Sequence, residues 1–553
     1  MERKRIIRQV LSVLLAMVLV LSGSLTAVTS YAYDAPADVK TIHDIPADLT
    51  GKTVILHSND VHGAIGRYPY IASVKQNLQR RGAEVILVDS GDYSQGTPYV
   101  STTMGLDAIS AMNATGYDIA TIGNHEFDYG LTQLKANLST AKFKVICADV
   151  FDGAGNLLFN PNTMYTTKSG VRIGFFGMET PETMTKVNPV HVQGIKFLTK
   201  GELATCAQGQ VDALKSQGAD LIVCLSHLGL YDESAPDGHR SVDVYNKTKG
   251  IDIMLDGHSH SVMTSGAKGE PIQSTGTKLA NIGVVVIDDA SKKIESHYLI
   301  SLEDLQKEVI SDAVTTAIIK RVDREFGVNF AKSEVNLNGE RAPGNRTEET
   351  NLGDLITDAL IWSVKSKGSA ITVDAAHTVA VTNGGGIRAS ISAGGISKND
   401  INTVLPFGNT VAVVYVTGAE LLEVLEASTF STPGPIGGYP QTCGIKFTID
   451  TTKPFAQGPA YQGSTYYKPA SIRRVTIESI NGQPFSATDT YAVVTNDFCA
   501  VGGDTYYAFA NASSQFDTGI VMDEAVMEYI QKELNGTVGS KYATPRGDQT
   551  QIR

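Results

Sequence analysis

Five short polar clusters, each directly behind an apolar run, restrict what this chain can fold into more than any other feature. They are His57-Ser58-Asn59-Asp60-Val61-His62-Gly63, Asp89-Ser90-Gly91-Asp92, Gly123-Asn124-His125-Glu126-Phe127-Asp128, Ser226-His227 and Asp256-Gly257-His258-Ser259-His260. The runs before them, 53–56, 84–88, 119–122, 221–225 and 251–255, are short and β-prone, and stretches of helical character such as 72–80 and 105–115 lie between. Strand, polar loop and helix in alternation describe an α/β domain with its chemistry where strands end.

The residue types in those loops are those of a two-metal hydrolase. Asp60 and His62 are two apart, as are His258 and His260, so an extended backbone sends each pair the same way. Gly63 permits a tight turn beside the first pair. Asp92 lies past its apolar run and is the candidate bridging carboxylate, whereas Asp89 is read as holding loop amides and His57 as structural. Asn124 offers a neutral carbonyl oxygen, and Asp128, three residues beyond His125, can orient that imidazole if the backbone turns helically. Carboxylate and amide oxygens mixed with imidazoles suit zinc or manganese better than magnesium alone.

At 553 residues the chain is too long for one ordinary core, and two domains are expected. A net charge of −12, with no strong basic run after residue 10, argues against a nucleic-acid polymer as partner. Residues 1–32 read as a signal peptide: basic residues, an apolar segment over about 10–28, then Ser30-Tyr31-Ala32. No later run is long enough to span a membrane and no hydrophobic C-terminal anchor is evident, so a secreted, soluble mature protein is expected. The five cysteines lack paired short spacing and read as buried thiols.

The helical pattern over 301–326 gives way to a stretch rich in Asn, Gly, Arg and Glu, which places a boundary near 327–340. Beyond it, Gly384-Gly385-Gly386 beside Arg388 is either an anion cradle or a tight turn next to a surface arginine. Tyr439 and Tyr506 adjoin glycine-rich turns, where they either stack on a base or pack within their loops.

These motifs resemble those of the bacterial secreted and periplasmic 5'-nucleotidases, including the UDP-sugar hydrolase type, and the related 2',3'-cyclic-nucleotide 2'-phosphodiesterase/3'-nucleotidases. The resemblance runs from about residue 53 to the end. It implies an N-terminal four-layer α/β/β/α metallophosphoesterase sandwich over 45–326, a linker over 327–350 and a C-terminal α/β nucleotide-specificity domain over 351–550. It implies Asp60, His62 and His260 on one divalent metal, Asn124, His227 and His258 on the other, and Asp92 on both. His125 and Asp128 match a catalytic pair, Arg388 a phosphate clamp, and Asn409, Tyr439 and Tyr506 substrate contacts, with Asn124 also close to substrate. The implied reaction is attack on phosphorus by hydroxide generated at the metals, releasing nucleoside and phosphate from 5'-monophosphates. A 2',3'-cyclic-nucleotide phosphodiesterase, a phosphatase of other substrates and a nucleotide-binding protein without activity are the alternatives. Cys147-Ala148-Asp149 departs from the Ala-Asn common among relatives, and Gly502-Gly503-Asp504-Thr505-Tyr506 from their Gly-Gly-Asp-Gly-Phe. Substrate transfer between domains implies a rotation near 327–350.

Overall fold

Side chains alternate between two faces along each strand, and that alternation builds the first half of the molecule. The computed structural model describes residues 39–230, 238–368 and 371–553, and the stretch read as a signal peptide lies outside them. In the strand Lys52–Ser58, Val54 and Leu56 meet helices while Ile55 faces a second sheet; in Glu84–Asp89, Val85 and Leu87 take the outer face and Ile86 and Val88 the inner. The second sheet mirrors this, with Phe175, Val223 and Leu225 turned inward and Phe176, Ile222 and Cys224 turned towards the helix Gly201–Ser216. A buried position in such a layer contributes about 1.5–3 kcal/mol through the apolar surface it removes from water. The result is helix, sheet, sheet, helix.

The first sheet runs Val39–Lys40, Lys293–Ser301, Asn281–Asp288, Lys52–Ser58, Glu84–Asp89, Ile119–Ala120, Lys144–Val145. The second runs Val262–Met263, Ile272–Thr275, Ile253–Asp256, Leu221–His227, Arg172–Glu179, Asn162–Thr166. Ser58 pairs with Asp89 and Asp89 with Ala120 in parallel register, and in the other sheet Ser226 pairs with Asp256 and His227 with Glu179. Parallel register brings the C-terminal ends of these strands to one edge, so all five polar clusters leave the sandwich on the same side.

The helix closing this unit starts at Val309 rather than near 301, because the Glu308 carboxylate accepts from the Ser311 amide and caps it there. Leu302 and Leu305 still pack against the first core, from irregular chain. After the helix ends at Phe326, Asn329–Ser333 already pairs with Gly394–Ser397, so the stretch read as linker belongs largely to the second unit. That unit centres on a sheet in the order Pro440–Cys443, Thr378–Asn383, Thr490–Asn496, Thr410–Thr417, Ser514–Val521. Helices Asn351–Ser366 and Met522–Lys532 cover one face, and Gly418–Ser428 the other. No described helix is long and apolar enough to cross a membrane. All five cysteines are free, three buried and two half-buried.

Candidate metal centre

The seven residues expected to hold metal converge where the two sheets end. The Nε2 atoms of His62 and His260 stand 3.0 Å apart, and the Asp60 carboxylate lies 3.4 Å from His260 and 3.7 Å from His62. Across from them, Asp92 Oδ2 is 3.7 Å from His62 Nε2 and 3.2 Å from His227 Nε2. His258 Nδ1 and Asn124 Oδ1 are 2.9 Å apart. Asp92 thus touches both groups, as a bridging carboxylate must. The clustered histidines and aspartates are consistent with a binuclear metal centre.

Protonation states support the fit. The Ser90 carbonyl can only accept, so the 2.6 Å contact to His227 Nδ1 puts a hydrogen on that nitrogen and turns Nε2 towards Asp92. That buried Nε2 makes no hydrogen bond, although it faces the Asp92 carboxylate. Burial opposes a charge on this ring, yet Asp92 and Asp60 outweigh it and hold His227 well above the usual imidazole range, so the space between ring and carboxylate favours positive charge. Burial holds His62 and His260 well below the usual imidazole range, with the Arg341 and Arg388 guanidiniums reinforcing it at His260, so both present lone pairs. Such a donor set, buried and shared by Asp92, fits two divalent ions.

The backbone is bent to serve this geometry. Asp60, His62, Asp92, His258 and His260 all adopt positive φ, between 45° and 71°. Each such residue costs about 1–3 kcal/mol and persists only where its surroundings impose it. A Cβ on Gly123 would meet the His227 ring at 2.7 Å, and one on Gly257 would meet His227 Nδ1 at 2.8 Å, so both positions need glycine. Glu126 organises the rest: its carboxylate accepts from the amides of Asp92, Tyr93, Ser94 and Gly123 and from the Ser94 hydroxyl. Asp89 accepts from the Gly91 amide and the Ser58 hydroxyl, and His57 contacts Gln273 in the core. Both therefore stand outside the ligand set.

His125 occupies the rim. Its Nδ1 contacts Asp128 Oδ2 at 2.8 Å, and its amide donates to Asp92 Oδ1 at 2.9 Å. Burial opposes a charge on this ring, yet Asp128 and Asp92 outweigh it and hold His125 above the usual imidazole value. The same cavity continues into the second unit, where Arg388, Phe407, Asn409, Phe498 and Asp504 line it with Arg341 and Arg346. The Phe407 ring lies 5.6 Å from the His125 ring and 5.9 Å from the Arg388 guanidinium carbon.

Tyr439 and Tyr506 are not in that cavity, which corrects the expectation that they hold a base. Both are fully buried, the Tyr439 hydroxyl donating to Gln549 Oε1 and that of Tyr506 to the Gly438 carbonyl, each at 2.9 Å. Their hydroxyls found partners inside the fold, which made burial of the rings inexpensive. Phe407 and Phe498 are the aromatics that reach the cavity. Phe407 and Tyr439 each stand between a proline and a glycine just ahead of a strand, Thr410–Thr417 and Pro440–Cys443, so local pattern does not separate them.

Residues 53–262 match the model of the calcineurin-like phosphoesterases, and residues 329–511 that of the 5'-nucleotidase C-terminal domain. A 5'-nucleotidase of Vibrio cholerae is 26% identical, the match covering 96% of this chain and 98% of that protein. The trifunctional nucleotide phosphoesterase YfkN of Bacillus subtilis is 28% identical over 88% of this chain, which spans about a third (34%) of YfkN's length. Among solved structures, the 5'-nucleotidase precursor of Thermus thermophilus superposes with a TM-score of 0.75 at 27% identity, covering 91% of this chain and 99% of that one.

Proposed function

Because the chain belongs to the 5'-nucleotidase family of the calcineurin-like phosphoesterases, we propose that it hydrolyses nucleoside 5'-monophosphates to nucleoside and phosphate, with two divalent ions, zinc or manganese, at its centre. One observation carries this reading: a single cavity joins the Asp92-centred cluster to a half-buried arginine and two aromatic rings of the other unit. Asp60, His62 and His260 would hold one ion, Asn124, His227 and His258 the other, and Asp92 both. When bound, the ions neutralise phosphoryl oxygens and lower the pKa of a coordinated water.

The chain's own groups then do the rest. Arg388 offers two parallel N–H bonds to the phosphoryl group, and Phe407 and Phe498 offer faces for the base. His125, with Nδ1–H held on Asp128, presents Nε2 to the phosphoryl or leaving-group oxygen and donates to charge that grows in the transition state. Pyrophosphate bonds of nucleotide sugars can use the same parts. The likeness to a relative named a trifunctional nucleotide phosphoesterase favours one second reading, cleavage of 2',3'-cyclic nucleotides and 3'-nucleotides. Export directed by residues 1–32 belongs to the same proposal.

Phosphate release from AMP, 3'-AMP, 2',3'-cyclic AMP and UDP-glucose, with a coupling phosphatase for the last two, tests this. Fast release from AMP with little from 3'-AMP or the cyclic ester is expected. The reverse preference would move the protein to the cyclic-nucleotide branch, and no release from any of the four would refute nucleotide hydrolysis.

A further inference from the structure

One further carboxylate is buried beside the cluster. Glu182 follows Pro181 at the end of the strand Arg172–Glu179, is 3% exposed, and places Oε2 2.8 Å from Nε2 of His258. An ionised carboxylate can only accept, so this contact puts a hydrogen on Nε2. The other ring nitrogen, Nδ1, faces Asn124 Oδ1 at 2.9 Å. With Nε2–H secured by Glu182, a neutral imidazole has its lone pair on Nδ1, next to the amide oxygen with which it would share an ion. Turned to the other tautomer, the same ring would aim a hydrogen at that ion and a lone pair at a carboxylate.

We infer that Glu182 is a positioning residue for the second ion: it fixes the His258 tautomer and ring plane so that Nδ1 is the ligand. This rests on the reading of His258 as a metal ligand. The segment carrying Glu182 is also where the second unit docks. The Asp504 amide donates to the Thr185 carbonyl at 2.8 Å, Thr185 Oγ1 is 3.1 Å from Thr465 Oγ1, and Lys186 Nζ lies 2.6 Å from the Tyr466 hydroxyl and 3.2 Å from Asp504 Oδ1. The turn that orients a ligand of the metal centre is therefore braced by a residue, Asp504, that lines the cavity's other half. Carboxylates that orient a ligating histidine typically tune metal affinity by about 10–100-fold.

The test is Mn²⁺ titration of the metal-stripped mature protein, following free Mn²⁺ by electron paramagnetic resonance, for wild type, Glu182→Gln, Glu182→Ala and His258→Ala. Wild type should bind in two steps. Glu182→Ala should keep the first step and weaken the second by about 10–100-fold. Glu182→Gln, which keeps the shape and one acceptor oxygen, should fall between, and excess Mn²⁺ should restore turnover in both, which a misfolded chain would not allow. If His258→Ala loses the second step while both Glu182 variants titrate like wild type, the inference is wrong and the ligand reading stands. If His258→Ala retains both steps, the ligand reading fails and takes the inference with it.

Discussion

At the scale of single residues, the division of labour between His125 and its neighbours is the sharpest consequence of the geometry. His125 lies against His62 and within reach of Asp92, but its Nδ1 is held by Asp128 and its amide by Asp92, whereas the other paired contacts of the cluster run through His62, His227, His258 and His260. His125→Ala should therefore lower kcat by about 10²–10⁴-fold, the usual worth of a positioned proton donor, while two ions per chain remain on elemental analysis. Loss of an ion in that variant would make His125 a ligand instead. The clustered histidines and aspartates and the His125–Asp128 contact were legible because metal and proton chemistry demand particular residues at particular spacings. The aromatics that line the cavity were not. Tyr439 and Phe407 carry the same local pattern, and only long-range packing decides that one hydroxyl reaches Gln549 inside the fold while the other ring meets the cavity.

At the scale of elements, the short apolar runs were legible as strands and the polar clusters behind them as loops at strand ends, and parallel register brings those loops to one edge. What short-range pattern left open was the support beneath those loops. Glu126 gathers four amides, and nothing in its spacing announces that. The departure at Cys147-Ala148-Asp149 has a physical consequence of the same kind. Asp149 ties its segment to the end of the strand Arg172–Glu179, accepting from the Glu179 amide at 3.0 and 3.1 Å and from the Cys147 thiol at 3.2 Å. Burial pushes its carboxyl from the ordinary 3.8 up to about 7. A folded-state pKa above the unfolded one means stability is fully present below pH 3.8 and is lost as pH rises towards 7, at about 1.4 kcal/mol per unit. Asp149→Asn removes the charge and keeps an acceptor for Glu179. Its melting temperature should exceed that of wild type at about pH 8, with the difference vanishing near pH 4; an equal difference at both pH values would show that the buried charge is not responsible.

At the scale of the molecule, the two units meet over the metal centre. Lys186 of the first contacts Tyr466 and Asp504 of the second, Asn399 of the second donates to the Tyr99 hydroxyl of the first, and His125 faces Phe407. A rotation that releases product would have to break these contacts together with those of Thr185 to Thr465 and Asp504 and of Asn188 to Asp497, which are polar, in keeping with seams between moving domains. The division into two units was visible in the change of composition near 327, but which surfaces face each other was not, since no residue of one unit is near its partner in sequence. If the proposal holds, two ions and one nucleotide meet in this shared cavity. The most direct measurement is the anomalous difference map of a crystal holding Mn²⁺ and a non-hydrolysable AMP analogue. Two peaks flanking the Asp92 carboxylate, with the base between Phe407 and Phe498, are expected; a single peak, none at Asp92, or a base bound away from those rings would contradict the account.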